Sequence, residues 1–285
     1  MGGRRGGRRP GRRHLARLTL LRLPQPYDYA LSTSRFQAFG TDLANRFVDG
    51  VLHRAIGGRD VAIAPARGGV DVEPLDADTG LAARTILGLV FELEPFYAWA
   101  TGDDVLGPAT KRLAGFRPSL APDPFEMLVG AITAQQVSLF AATAIRNRMT
   151  ERFGSQVGVA WSFPTRDALA AATEEQLVGL GFSRRKAEYT VGLARADIDL
   201  AGLAALSDEE VKARLVALRG IGEWTADWFL ARHLARPNAW PWGDLALRKA
   251  VAKLYGGLDV REARERFHPY ENLSAHYLLL AERVP

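Results

Sequence analysis

Cysteine is absent from all 285 residues. That excludes disulfides, cysteine-ligated iron–sulfur clusters, thiolate zinc sites, thiol nucleophiles and stoichiometric alkyl acceptors. Metal-ligand spacing is missing as well, since the five histidines (His14, His53, His233, His268, His276) form no paired motif. The body of the chain also has little excess charge. There are 37 Lys+Arg against 32 Asp+Glu, but six of the arginines lie in residues 1–13 with no acid among them. The remainder therefore carries 31 basic against 32 acidic side chains. A polyanion site in the body must come from local patterning, because there is no global excess. Long uninterrupted apolar runs are lacking too. Residues 127–145 hold no formal charge and approach spanning length, yet Thr133, Gln135, Gln136, Ser138 and Thr143 interrupt them. Asp123-Pro124, with Glu126 three residues past the aspartate, resembles a capping-box start. A buried helix is expected here, and no membrane segment.

At roughly 150 residues per domain, the length suggests about two domains. Residues 1–14 alternate Gly-Gly with Arg-Arg and read as a disordered tail. This tail is either a polyanion-binding arm or an inert leader, and it lacks the apolar centre of a secretory signal. Residues 15–23 partly alternate, and β-leaning runs follow at 51–55, 61–64 and 69–72 between glycines and Pro65. Helical patterns lie at 34–47 and 81–93. Residues 15–88 thus predict a small α+β domain on an antiparallel sheet. Residues 89–285 read as consecutive helices with almost no strand signal. Ser207 with Glu210 caps a helix over 208–218. Arg184-Arg185-Lys186 opens another over 184–196, as a phosphate contact or as a solvated face.

Between two helical patterns lies Leu218-Arg219-Gly220-Ile221-Gly222. Its glycines permit a tight turn, and the N–H groups at the start of the next helix (223–235) can face a phosphate. A Gly-x-Gly turn alone also fits plain helix packing. About twenty residues on comes Trp240-Pro241-Trp242-Gly243-Asp244-Leu245-Ala246-Leu247-Arg248-Lys249. Together, Leu-x-Gly-Ile-Gly-x-Trp-Thr-Ala and the later Pro-x-x-Asp resemble the helix–hairpin–helix DNA glycosylases, and most of all the 3-methyladenine DNA glycosylase II (AlkA) type. The resemblance extends to Asp123-Pro124-Phe125-Glu126, to Ala131–Ser138 and to Pro26-Tyr27-Asp28-Tyr29, so it covers nearly everything after residue 15. It implies an α+β N-terminal domain followed by two helical subdomains flanking a cleft. One spans 122–233 with the hairpin at 215–228; the other joins 89–121 to 234–285.

The resemblance also implies roles. Asp244 matches the catalytic aspartate, whose carboxylate would face the positive charge that builds on the sugar as the glycosidic bond breaks. It could equally be the N-cap of a helix over 245–254, and the two roles are compatible. Trp224 stands where lyase-competent relatives carry an imine-forming lysine, which implies hydrolysis without strand cleavage. Trp224 and Trp228 would line a pocket for the flipped base, with core packing as the alternative. Trp240 and Trp242 flank the aspartate and could be pocket or core. Near the end of the last helix the family often places a tryptophan; here Ala281 stands there and Tyr277 is the nearby aromatic. Gln136 matches the wedge that fills the gap left by the flipped base, with Gln135 beside it; either could instead only bond to nearby loops. Arg219, Gly220, Ile221, Gly222 and Thr225 would grip the DNA backbone. The carbonyls of Val216, Leu218 and Ile221 match a structural Na+ or K+ site. No cofactor is expected for catalysis, and no iron–sulfur cluster.

The expected activity is excision of alkylated purines of the 3-methyladenine and 7-methylguanine type, leaving an abasic site. Double-stranded DNA with damaged bases is the expected partner, with abasic-site repair enzymes acting downstream. The expected state is a monomer in the cytoplasm, on the nucleoid if the source is bacterial. The alternatives are a non-catalytic damaged-DNA-binding protein and a glycosylase for oxidised or deaminated bases.

Overall fold

The computed structural model describes residues 19–283; the Arg/Gly tail at 1–14 lies outside the described residues. Its first layer holds β1 (Leu20–Arg22), the short helix α1 (Tyr29–Thr33), β2 (Arg46–Val48), β3 (Val51–Ile56), β4 (Arg59–Ala66), β5 (Gly69–Glu73) and α2 (Ala77–Ile86). The five strands form one antiparallel sheet in the order β1-β5-β4-β3-β2. Period-two alternation selects its inner face: Leu52, Val61, Ile63, Val70 and Val72 are fully buried and pack on Ala83, Ile86 and Leu87. Arg54 follows Leu52 on the same face of β3, so a charged residue is buried beside that core.

The expected helix over 34–47 does not form. A single 3-10 turn, Ser34–Phe36, follows α1. The Asp42 side chain then takes the N–H groups of Ala44 and Asn45, each at 3.2 Å. Such local bonds compete with helix formation, and the chain enters β2 instead. The helical pattern over 81–93 is likewise split. Gly88, at φ +69, ends α2; a Cβ there would lie 2.3 Å from the Pro118 carbonyl oxygen.

Helices α3 (Leu93–Ala100) and α4 (Leu106–Arg112) begin the helical region. After them come α5 (Pro124–Ala134), α6 (Leu139–Phe153), β6 (Ser155–Val157), β7 (Ala160–Ser162), α7 (Arg166–Ala170), α8 (Glu174–Gly179), α9 (Arg184–Arg195), α10 (Asp208–Val216) and α11 (Glu223–Arg232). The chain closes with α12 (Leu245–Leu254), α13 (Ala263–Arg266) and α14 (Glu271–Ala281). Two hydrophobic clusters divide these helices. One runs from Phe125 to Ala239, and the other joins Phe91–Leu120 to Trp240–Ala281.

Three expectations are corrected here. The uncharged stretch 127–145 is two helices: Gln136 takes φ 54, and Ser138 caps α6 through the Ala141 N–H. Asp123 does cap α5, accepting from the Glu126 N–H at 2.7 Å, but no capping box closes. The Glu126 carboxylate pairs instead with Arg54 across the domain boundary. Finally, a small hairpin, β6–β7, interrupts the helices. Its strands are too short to show a period. It is held by neighbours in the first layer, through Val159 N–H to the Asp60 carboxylate and Trp161 N–H to the Leu43 carbonyl.

Candidate active site

The hairpin between α10 and α11 is built locally. Ser207 and Glu210 close a capping box at the start of α10. The turn then bonds Leu218 N–H to Leu215 and Ile221 N–H to Leu218. Its two glycines do different things. Gly220 sits at φ +88, and a Cβ there would fall 2.1 Å from the Tyr189 ring, so both conformation and packing demand glycine. Gly222 has ordinary φ and open space around it, and it is exposed at the N-cap of α11. There the missing side chain leaves the first helical N–H groups open to an approaching anion.

On α11, Trp224 and Trp228 are one turn apart and share a face. Both indole N–H groups donate to Asp244 Oδ2, each at 3.0 Å. Asp244 is also the N-cap of α12, accepting from the Leu247 N–H through Oδ1 at 3.0 Å. The carboxylate is thus held from two elements at once, at the edge of a cavity of about 230 Å³. Trp224, Trp228, Arg232 and Asp244 line one side of it. Met127, Ala131 and Leu139 line another, and Asp42, Asn45 and Arg54 from the first layer close its far end.

The other tryptophans lie elsewhere. Trp240 is buried in the second helical core and donates to the Val260 carbonyl at 2.7 Å. Trp242 packs against that core, with the Arg261 guanidinium 4.3 Å over its ring. Tyr277 is fully buried, bonded to the Tyr97 hydroxyl and the Phe116 carbonyl. None of these three lines the cavity: the turn before α12 carries Trp240 into the second helical core and Trp242 against it, and Tyr277 is buried in the same core from α14. Ala281 is buried as well; Leu279 and Arg283 reach the cavity from that end of the chain.

Among the loop residues, Gln135 and Gln136 part company. The Gln135 amide donates to the Gly220 carbonyl at 3.0 Å and to the Thr225 hydroxyl at 3.3 Å, tying the α5–α6 loop to the hairpin. Gln136 is exposed beside Val137. Thr225 is 1% exposed, so its hydroxyl serves this internal tie and is no surface contact. Ile221 is buried as well, and its N–H is spent on the Leu218 carbonyl. Arg219 is exposed and pairs with Glu188 at 2.7 Å. Lys186 is also removed from the set of phosphate contacts. It is buried and donates to the Thr133 carbonyl at 2.9 Å, capping the end of α5. Burial lowers its pKa. Arg184 and Arg185 remain exposed.

Sequence reading missed the guanidiniums around the cavity. Arg35, Arg146, Arg232 and Arg283 all line it, and Arg146 pairs with Asp42. Burial, then repulsion from Arg146, pushes Arg35 down to about 10, although part of its side chain still meets solvent at the mouth. Burial, then Arg35, likewise holds Arg232 well below the usual guanidinium value. A guanidinium does not lose its proton in proteins, so these shifts measure how poorly its charge is compensated. The His276 ring lies 5.6 Å from that of Trp228, tilted by 52°; burial, then Arg232 and Arg35, push its pKa far down, so it is neutral. The one legible signal was spacing, since Arg232 continues the face of Trp224 and Trp228 by a further turn.

The signature of the HhH-GPD superfamily of base excision DNA repair proteins matches residues 129–270. A solved 3-methyladenine DNA glycosylase from Archaeoglobus fulgidus superimposes with a TM-score of 0.82 at 30% identity, covering 93% of this chain and 98% of that one. The chain belongs to this superfamily. A Bacillus subtilis DNA-3-methyladenine glycosylase is 30% identical over 168 residues, 56% of this chain. The chain spans about half of that relative's own length, 55%. A Schizosaccharomyces pombe 3-methyladenine DNA glycosylase, solved with abasic DNA, matches at 27% identity with a TM-score of 0.58, covering 66% of this chain and 96% of that one. Among the described residues, no helix is long and apolar enough to cross a membrane.

Proposed function

We propose that this chain is a monofunctional DNA glycosylase. It takes alkylated purines of the 3-methyladenine and 7-methylguanine type out of duplex DNA and leaves an abasic site. One observation carries the reading: a carboxylate, Asp244, held at the edge of an aromatic-lined cavity beside an exposed helix N-terminus suited to phosphate. The exposed N–H groups at Gly222 grip the backbone, and a flipped base enters the cavity at a cost of a few kcal/mol. The carboxylate faces C1′. Its Oδ2 already accepts two indole bonds, so the anion is positioned mainly to stabilise the oxocarbenium-like sugar. Oδ1 keeps capacity to orient water. Trp224 cannot form an imine, so no lyase step follows.

Gln136, exposed at the loop tip, is the wedge; Gln135 braces the loop from behind. The hairpin carbonyls of Val216, Leu218 and Ile221 would hold a structural monovalent cation. These are neutral oxygen donors at a turn, and Leu218 spends one lone pair on the Ile221 N–H. Catalysis itself needs no cofactor. The protein acts as a monomer on damaged DNA in the cytoplasm, on the nucleoid in a bacterium, and hands its product to abasic-site repair enzymes.

The test is incubation with methylated duplex DNA and identification of the released bases by mass. Asp244→Asn should cut release on the order of 10²-fold or more, with duplex affinity retained. Borohydride should trap no covalent adduct. Near-normal turnover by Asp244→Asn, or a robust trapped adduct, would overturn the respective assignment.

A further inference from the structure

Val137, Leu139 and Phe140 expose their side chains within four residues, where the α5–α6 loop runs into α6. The other exposed large apolar side chains among the described residues are scattered along the chain, as on any surface. Phe140 is 61% exposed. Its ring meets Phe39 edge to face, with centroids 5.7 Å apart, and Phe39 lines the cavity. The Arg283 guanidinium lies 5.3 Å from the Phe39 centroid, so Phe140 stands on a ring that is itself held. The exposed face of α6 continues through Ala144 to Arg148, about 12 Å farther along the helix. There Arg148 donates its Nε to the Leu180 carbonyl at 2.6 Å, beside the turn that leads into α9 and its exposed Arg185. Neither guanidinium pairs with a carboxylate among the described residues, whereas Arg184 is drawn to Glu175 and Arg219 to Glu188. One face thus runs from a bare aromatic ring to uncompensated positive charge.

A nucleic-acid strand offers the complementary chemistry, a π face on every base and an anionic backbone beside it. Position selects which strand. Gln135 ties the loop to the hairpin, which on the glycosylase reading grips the damaged strand. Phe140 and α6 follow the loop on its other side. When the damaged base leaves the stack, its partner stays behind without a pair, and an aromatic ring can cover it whatever its identity.

Resting on that reading, we propose that this face of α6 seats the undamaged strand of the duplex. Phe140, backed by Phe39, stacks on the base left without a partner, and Arg148 and Arg185 take phosphates of the same strand. Gln136 fills the vacated gap, while Phe140 covers what remains opposite it.

The experiment measures binding of the full chain to duplexes that carry an abasic-site analogue, opposite either adenine or a second abasic site. Phe140→Ala should weaken the first complex about tenfold and the second hardly at all, and Phe140→Trp should restore the loss. Arg185→Gln should reduce the slope of log K against log salt by up to about 0.9. A neutral methylphosphonate linkage moved along the undamaged strand should then reach a position that weakens the wild-type chain but not Arg185→Gln. Equal weakening of both duplexes by Phe140→Ala, or of neither, overturns the stacking assignment. A matching position in the damaged strand instead overturns the choice of strand. Self-association that Phe140→Ala abolishes overturns both, since the patch would then join copies of this chain. A chain that binds as expected yet releases no base from methylated DNA would sink the glycosylase reading and leave the strand assignment in place.

Discussion

Asp244 does two jobs with one side chain. As an N-cap it fixes the start of α12, and that bond to Leu247 N–H sets where the other oxygen points. The two indoles then hold Oδ2 in place. Hydrogen bonds to a charged group contribute about 1.5–3 kcal/mol each. Trp228→Phe keeps the ring but removes one of them, so single-turnover excision should fall on the order of 10- to 100-fold. Trp240→Phe is the matched control. It loses the bond to the Val260 carbonyl, in the core and away from the cavity, so it should lower Tm while excision at saturating enzyme persists. Equal activity loss in both variants would mean that the tryptophans act only through stability.

Between α5 and α6 the chain makes a four-residue break, and several tertiary bonds hold it. Lys186 caps the end of α5, and the Gln135 amide reaches the hairpin. The positive φ at Gln136 lies between these anchors and presents its side chain to solvent. A wedge acts by filling the stack that a flipped base vacates, so its worth depends on what must be broken first. Gln136→Ala should slow excision from a fully paired lesion at least fivefold, and hardly at all when the lesion faces an abasic site. Gln135→Ala loosens both loop and hairpin and should slow both substrates alike. Rates on the two duplexes decide the matter; the reverse pattern would exchange the two roles.

Across the whole molecule, the first layer is bolted to the helical region by buried charge. Arg54 on the inner face of β3 pairs with Glu126 on α5, and Asp42 pairs with Arg146 on α6. Both pairs also form part of the cavity wall. Removing one member of a buried pair leaves an uncompensated charge and costs about 3–5 kcal/mol. Glu126→Ala should therefore destabilise by about that amount, while Arg54→Met with Glu126→Leu should recover most of it. Denaturant unfolding of the three proteins checks this. A single variant no less stable than the double would show that the pair is solvated and idle.

By itself the sequence determined what depends on neighbours along the chain. Alternation at Val61 and Ile63 placed a strand, Ser207 with Glu210 placed a cap, and Asp244 stood at a helix start. Leu218–Gly222 marked the hairpin, because only glycine tolerates the conformation and contact at position 220. Tertiary structure decided everything that depends on which way a ring or a charge turns. Of the aromatic residues read as pocket candidates, only Trp224 and Trp228 face the cavity; Trp240, Trp242 and Tyr277 turn into the core behind it. Glu126 looked like half of a capping box and proved to be the partner of Arg54, 72 residues earlier. The strands of 155–162 left no pattern to read, and of the guanidiniums around the cavity only Arg232, one turn beyond Trp228, had a spacing that pointed there. Their reasons are contacts between distant segments, and a linear chain does not display those until it is folded.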